Sequence, residues 1–344
     1  MIRRFLAAAT AATAAAATLA GCGAVLGATG GHPQTITVYN GQHEETARAL
    51  AAAFTRETGI DVKIRSGEED VLTQQIRQEG QASPADVIFT ENSPALETLQ
   101  ADGLLARVPA STLARVPAAD NSPRGEWAGV SARVSVLVYN TRDIARNHLP
   151  TSVMQLAGRQ WRGKLALAPG ETDFQPVVTS IAATYGRRTA VRWLRAIQAN
   201  AAGHIYADNE TVTADVNSGR AQIGIINHYY WYRLRYEIGA AKMHSAIAPF
   251  APADPGYVLD VSGAAVLKSS GHQAASQRFV AFLVSGQGQR IIARGDSFEY
   301  PLARGVPPGH GLTPRSELHP CPIGIAALGD GSAALDLLQR AQLL

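Results

Sequence analysis

Tyr229 and Tyr230 are adjacent in the run Ile226-Asn227-His228-Tyr229-Tyr230-Trp231-Tyr232. Two neighbouring phenols can offer two phenolate oxygens to one ion. A phenolate is a hard anion, poorly matched to a soft metal and well matched to a small trivalent one such as Fe³⁺. The cost is deprotonation, since free tyrosine titrates near pKa ~10. A high positive charge beside the phenol removes that cost by favouring the charged form. On its own the run reads first as a packing cluster, the usual role of aromatics at helical spacing. Tyr232 and Tyr236, four apart, are expected to pack in the core.

The rest of the chain supplies partners for the pair. His43 follows an apolar run through Asn40-Gly41-Gln42, and Glu91 follows the run Asp86–Phe89. Both runs read as strands, so both residues sit at the carboxyl ends of strands, where open α/β sheets bind ligands. His43-Glu44-Glu45-Thr46-Ala47 begins like a zinc-protease helix but has Ala47 where the second histidine belongs. Tyr229 and Tyr230 follow the strand-like Gln222–Ile226 and open a helix. In a first helical turn neighbouring side chains diverge by only ~100°, so both oxygens can reach one ion. Asn227 is placed to cap that helix, and its positive end favours phenolates.

The elements that must position these residues alternate. Thr35–Tyr39 reads as a strand and Glu44–Glu57 as a helix, with Ala47, Leu50, Ala51 and Phe54 on one face and Gly59 as its stop. Asp61–Ile64 reads as a strand and Pro94–Gln100 as a helix. Lys164–Ala168 is a strand, and Phe174–Tyr185, Thr189–Ala199, Gln273–Leu283 and Ala333–Leu343 are helices. This grammar implies α/β lobes with largely parallel sheets. Arg133–Tyr139 and Tyr257–Leu267 are extended runs suited to cross between two lobes as a hinge. The expected division is 35–135 with 260–310 as a discontinuous lobe one, and 136–259 with 311–344 as lobe two.

Arg3 and Arg4 precede an Ala-rich apolar run ending in Leu19-Ala20-Gly21-Cys22. Residues 1–21 therefore read as a lipoprotein signal, with Cys22 as the lipidated residue and 22–34 as a flexible tether. The apolar run is too short for a good membrane span. What remains of the 344 residues is comfortable for two lobes. The formal net charge is +3, two of it from Arg3 and Arg4. The arginines are scattered, which excludes a nucleic-acid stripe. With Cys22 modified, Cys321 has no partner for a disulfide and reads as a small buried hydrophobe. No Gly-x-Ser-x-Gly elbow or His-Glu-x-x-His motif speaks for a hydrolase.

Four segments together resemble the ferric-ion-binding proteins that feed bacterial ABC iron importers. They are Thr37-Val38-Tyr39-Asn40-Gly41-Gln42-His43, Pro84-Ala85-Asp86-Val87-Ile88-Phe89-Thr90-Glu91, Ile226–Tyr232 and Ser262-Gly263-Ala264-Ala265-Val266-Leu267-Lys268. The resemblance runs from Ile36 to about Leu302. It implies a bilobal α/β periplasmic-binding-protein fold, comparable with a transferrin lobe. The family's iron ligands fall on His43, Glu91, Tyr229 and Tyr230. One carboxylate and two phenolates balance the charge of Fe³⁺. A synergistic anion would complete the shell, with Asn209 and Asn227 at its pocket. Here the chain departs from the pattern. Gly170-Glu171-Thr172-Asp173 stands where phosphate-using relatives have a small Ser-Gly stretch, and Asn92 stands where many have Gln. Two acids repel a phosphate, so Glu171, Thr172 or Asp173 is expected to contribute in its place. The reading is a monomeric, non-enzymatic Fe³⁺ carrier serving an ABC transporter permease. It is held on the extracytoplasmic side of the membrane by its lipid alone. The alternative is a protein of the same fold that captures another solute, such as an organic oxyanion.

Overall fold

The computed structural model describes residues 34–344; the expected signal, Cys22 and all but the last residue of the tether lie outside the described residues. Nine strands run through the described residues. They are β1 (Thr35–Asn40), β2 (Asp61–Ser66), β3 (Val87–Thr90), β4 (Ala128–Asn140), β5 (Leu165–Ala166), β6 (Ile223–Asn227), β7 (Ser245–Ala248), β8 (Leu259–Val266) and β9 (Tyr300–Pro301). The helices of the first part are α1 (Glu44–Thr58), α2 (Glu69–Glu79), α3 (Ser93–Ala101) and α4 (Ala110–Leu113). Then come α5 (Gln175–Tyr185), α6 (Arg187–Asn200), α7 (Asn209–Ser218) and α8 (His228–Ile238). The last are α9 (Gln273–Leu283), α10 (Gly286–Arg294), α11 (Ile325–Leu328) and α12 (Ser332–Arg340).

The strands lie in the order β2-β1-β3-β8-β4-β6-β5, with β7 and β9 also paired to β4. β4 joins the two halves. Its residues Ala128–Val134 pair with β8, and Ser135–Tyr139 pair with β6. All thirteen of its residues are buried, so it can serve both halves as an interior strand. The extended runs read as crossovers are therefore real strands, β4 and β8, paired to each other antiparallel.

The largely parallel sheet expected from the alternation is corrected to a mixed one. β1 pairs parallel with β2 and β3, and β5 with β6. β3–β8, β4–β6 and β4–β7 are antiparallel. The cause is the double crossing, because a chain that leaves along β4 and returns along β8 must enter the sheet in the reverse direction.

The amphipathic spacing of α1 does what it predicts. Ala47, Leu50, Ala51 and Phe54 are buried, and Gly59 closes the helix at φ 71°, a backbone shape that glycine adopts at no steric cost. Cys321 is buried and free, in contact with the Ser180 hydroxyl at 3.2 Å. Tyr232 packs on Phe298, but Tyr236 is 65% exposed, so only the first of that pair belongs to the core.

Candidate metal centre

Three strand ends meet at one place. β1 and β3 are parallel neighbours with Asn40 opposite Phe89, so the loops that leave them emerge side by side. His43 stands on the first loop, as the residue before α1, and Glu91 begins the second. β6 runs directly into α8, which places Tyr229 and Tyr230 in the helix's first turn. Asn227 occupies the capping position but makes no side-chain capping bond, which corrects the capping role expected of it.

The four residues converge with a fifth, Asp173. His43 Nδ1 lies 2.8 Å from Glu91 Oε1. The hydroxyls of Tyr229 and Tyr230 each donate to Asp173 Oδ2 at 2.9 Å, and Tyr229 also reaches Glu91 Oε2 at 3.5 Å. The two phenol rings are 4.3 Å apart between centroids, and the His43 ring meets Tyr229 edge-on at 5.0 Å. His43 Nε2 is buried without a hydrogen-bond partner. Glu91 remains the most open member, its side chain 18% exposed. The adjoining cleft has a volume of about 490 Å³, lined by His43, Glu91, Glu171, Glu210, Tyr230 and Arg233 among others.

Charge explains the protonation pattern. Burial would raise the Glu91 carboxyl, but His43, Arg133 and Arg233 outweigh it and hold it at about 2. Burial pushes the His43 imidazole down, and the Glu91 carboxylate reverses this to leave it above its ordinary value. Burial, then the charges of Asp173 and Glu91, push both phenols well above the usual tyrosine range. Asp173 is itself raised by burial and by Glu91. Burial and Asp173 lift Glu171 to about 8. Without a strong positive charge, both phenols therefore stay neutral and donate to Asp173. A small trivalent cation is the kind of charge that would exchange for those protons.

Among the described residues, no group of three or more His, Cys, Asp and Glu side chains could hold a metal by themselves. A metal here must use the phenol oxygens. With them, His43, Glu91, Asp173, Tyr229 and Tyr230 form a set of hard donors and one imidazole, with a preference for a hard trivalent ion.

The remaining expected residues divide. Asn92 and Thr172 join the cluster, for Asn92 Nδ2 donates to Thr172 Oγ1 and Asp173 Oδ1, both at 3.1 Å. Glu171 faces the cleft. Asn209 and Asn227 are buried, but their side chains are not among the hydrogen bonds that join the cluster.

Glu69 escaped the sequence reading. It sits at the start of α2, buried, and its carboxylate takes the backbone N–H groups of Glu91 and Asn92 at 3.0 Å and Asn92 Nδ2 at 2.9 Å. It fixes the Glu91 loop from below. Burial and the nearby Glu91 raise it to about 8. Gly41 allows this approach, because a Cβ there would lie 2.7 Å from Glu69 Cβ. In sequence Glu68-Glu69-Asp70 reads as a solvated helix start. The detectable signal was Glu69 in phase with Leu72, Thr73 and Ile76 on the buried face.

A family model described as bacterial extracellular solute-binding protein matches residues 7–295. The chain is 38% identical over 308 residues to the major ferric iron-binding protein of Neisseria meningitidis, which covers 89% of this chain and 92% of that one. It is 35% identical to the Fe(3+)-binding periplasmic protein of Serratia marcescens, over 90% of this chain and 91% of that one. The crystal structure of iron-bound HitA from Pseudomonas aeruginosa superposes with a TM-score of 0.85 at 40% identity, over 90% of this chain and 99% of that chain.

Proposed function

The chain belongs to the family of bacterial extracellular solute-binding proteins, and from that premise we propose that it captures Fe³⁺ in a cleft between two lobes. His43, Glu91, Tyr229 and Tyr230 are the ligands. Asp173 stands in for a synergistic anion. One observation carries the reading: two adjacent buried phenols aim at one carboxylate oxygen, beside a His–Glu pair. Packing alone gives no reason for two phenols to share an acceptor at a cleft. The protein is a carrier and not an enzyme, in keeping with its ferric iron-binding relatives.

The finer assignments extend this reading. Lobe one comprises 35–135 with 260–310, and lobe two 136–259 with 311–344. This division agrees with the switch of β4 from β8 to β6 after Val134. Cys22 carries the lipid anchor, and the cargo passes to the permease of an ABC importer. The buried phenol pair beside a His–Glu pair favours a hard cation over an organic oxyanion as cargo.

The test is the visible spectrum of the purified protein with ferric citrate, together with metal analysis. Phenolate-to-Fe³⁺ charge transfer gives a band that citrate alone lacks. Tyr229→Phe or Tyr230→Phe keeps the ring and removes one donor, so the band weakens or disappears and affinity falls by several orders of magnitude. If both single variants retain the full band and affinity, the tyrosine pair is packing and the proposal is wrong.

A further inference from the structure

Glu299 touches none of the five donors, yet the segments that carry four of them are tied to it. It is fully buried. Its Oε2 accepts from Ser131 Oγ on β4 at 2.9 Å and from Gln42 Nε2 at 3.1 Å. Its Oε1 forms an ion pair with Arg133, also on β4 and also fully buried.

Each of these partners leads to the metal centre. Gln42 Oε1 accepts the backbone N–H of His43 at 2.7 Å. Gln42 Nε2 also donates to Ser262 Oγ on β8 at 2.8 Å, and that hydroxyl donates to the carbonyl of Thr90, the residue before Glu91, at 2.6 Å. Arg133 Nη1 donates to Asn92 Oδ1 at 3.3 Å, and its guanidinium lies over the Tyr229 ring at 5.7 Å from the centroid. The segment before Glu299 reaches the tyrosine helix as well. The Phe298 carbonyl lies 2.9 Å from His228 Nε2, and Val134 N–H of β4 points at His228 Nδ1 at 3.4 Å.

The backbone at this point departs from ordinary geometry. Phe298 has φ 54°, a left-handed conformation that a bulky residue rarely adopts. Such strain persists only where the surroundings over-determine it. Here they do, through the stacking of Phe298 on Tyr232 and its carbonyl contact with His228. The strained residue delivers the Glu299 carboxylate into the space between β4, β8 and the His43 loop.

We propose that Glu299 is a positioning residue for ion binding, a buried anchor that locks both crossover strands to the donor-bearing segments. Its role rests on the iron-binding reading, because the donors it positions are those of that site. Glu299 holds Gln42, Ser131 and Arg133 at once, so its one carboxylate joins the His43 loop to β4 through side-chain bonds. Losing it frees the loops from the hinge without removing a donor.

The experiment measures iron dissociation into excess chelator by stopped flow, with the visible band as the signal and thermal unfolding of the metal-free protein alongside. Glu299→Gln keeps the shape but loses the charge that holds Arg133. It is expected to show the wild-type band position when saturated with ferric iron, and to release iron at least tenfold faster. Ser131→Ala leaves the ion pair intact, so it protects the test against misfolding of the first variant; its release is expected to be about threefold faster. Preserved band position separates a positioning role from loss of a ligand. If the folded Ser131→Ala protein and any folded Glu299→Gln protein release iron at the wild-type rate, the inference is overturned. If wild-type protein shows no band with ferric iron, the binding reading itself fails and takes this one with it.

Discussion

Acidifying the protein is expected to release iron along a steep and countable curve. In the metal-free protein both phenols are protonated throughout the neutral range, because burial and the charges of Asp173 and Glu91 push them well above 10. In the proposed ligand set iron takes them as phenolates, so each ion displaces two protons. His43 is also raised above its ordinary value by Glu91, and below that point a third proton must leave. Glu91, held at about 2, contributes nothing above pH 5. The sign follows directly. Protons compete with the ion, so affinity is highest in alkali and falls as pH falls. One proton is worth about 1.4 kcal/mol per pH unit. Two give a hundredfold loss per unit, about 2.7 kcal/mol. Between pH 8 and pH 6 the two phenols alone should therefore cost the apparent affinity roughly four decades, with a steeper fall once His43 is protonated and where Glu171, lifted to about 8, takes up its proton. The assay is competition against a chelator of known proton and iron constants, so that its own titration can be subtracted. Tyr230→Phe removes one of the two protons and should lower the slope near pH 8 by one. A wild-type slope of one or less, or an unchanged slope in Tyr230→Phe, would refute the phenolate assignment.

Other outcomes follow from single contacts. Wild-type protein should bind iron tightly in buffer free of phosphate and carbonate, and added phosphate should leave the affinity unchanged. Asp173→Ser should bind at least tenfold tighter with phosphate than without, as measured by the same competition; a wild-type requirement for either anion would sink this idea. Gly41→Ala would press a methyl group to 2.7 Å from Glu69 Cβ and 3.0 Å from its backbone Cα. Overpacking of that kind costs about 1–3 kcal/mol, to be read from urea unfolding, and a loss under about 0.5 kcal/mol would show that α2 yields easily.

What the sequence made legible depended on locality. The α1 stripe, its Gly59 stop and the strand before Glu91 are set by neighbours a few residues apart, and the structure has them in place. The tyrosine pair was legible because both members come from one helical turn. The direction of β8 was not, since it depends on where the chain returns and not on any local pattern. Asp173 could be noticed as an acid in an odd place, but a loop reading gave no hint that it would be buried under two hydroxyls. Glu69 and Glu299 were invisible for a common reason. A buried carboxylate is accepted only through partners distant in sequence, here Asn92 for one and Ser131 with Arg133 for the other. Burying charge without such partners is prohibitive, so the partners are the information, and they lie 22 to 257 positions away.

The centre also shows how several acids can share one buried place. The compensation is made by protons and by neighbouring bases. Both phenols keep theirs and donate them to Asp173, the Glu91 carboxylate leans on His43, and Arg133 is matched by Glu299. Each buried charge therefore has a partner before any cargo arrives, as a low-dielectric site requires. On the proposed ligand set, an incoming trivalent ion would replace the phenolic protons and take over the oxygens they occupied, with Arg133 still paired. The hydrogen bonds that hold the site together in one state are thus the donor positions of the other. Binding then needs little rearrangement of side chains, and release needs only what returns the protons or separates the loops. The first route is acid. The second is motion about β4 and β8, which Glu299 is built to resist.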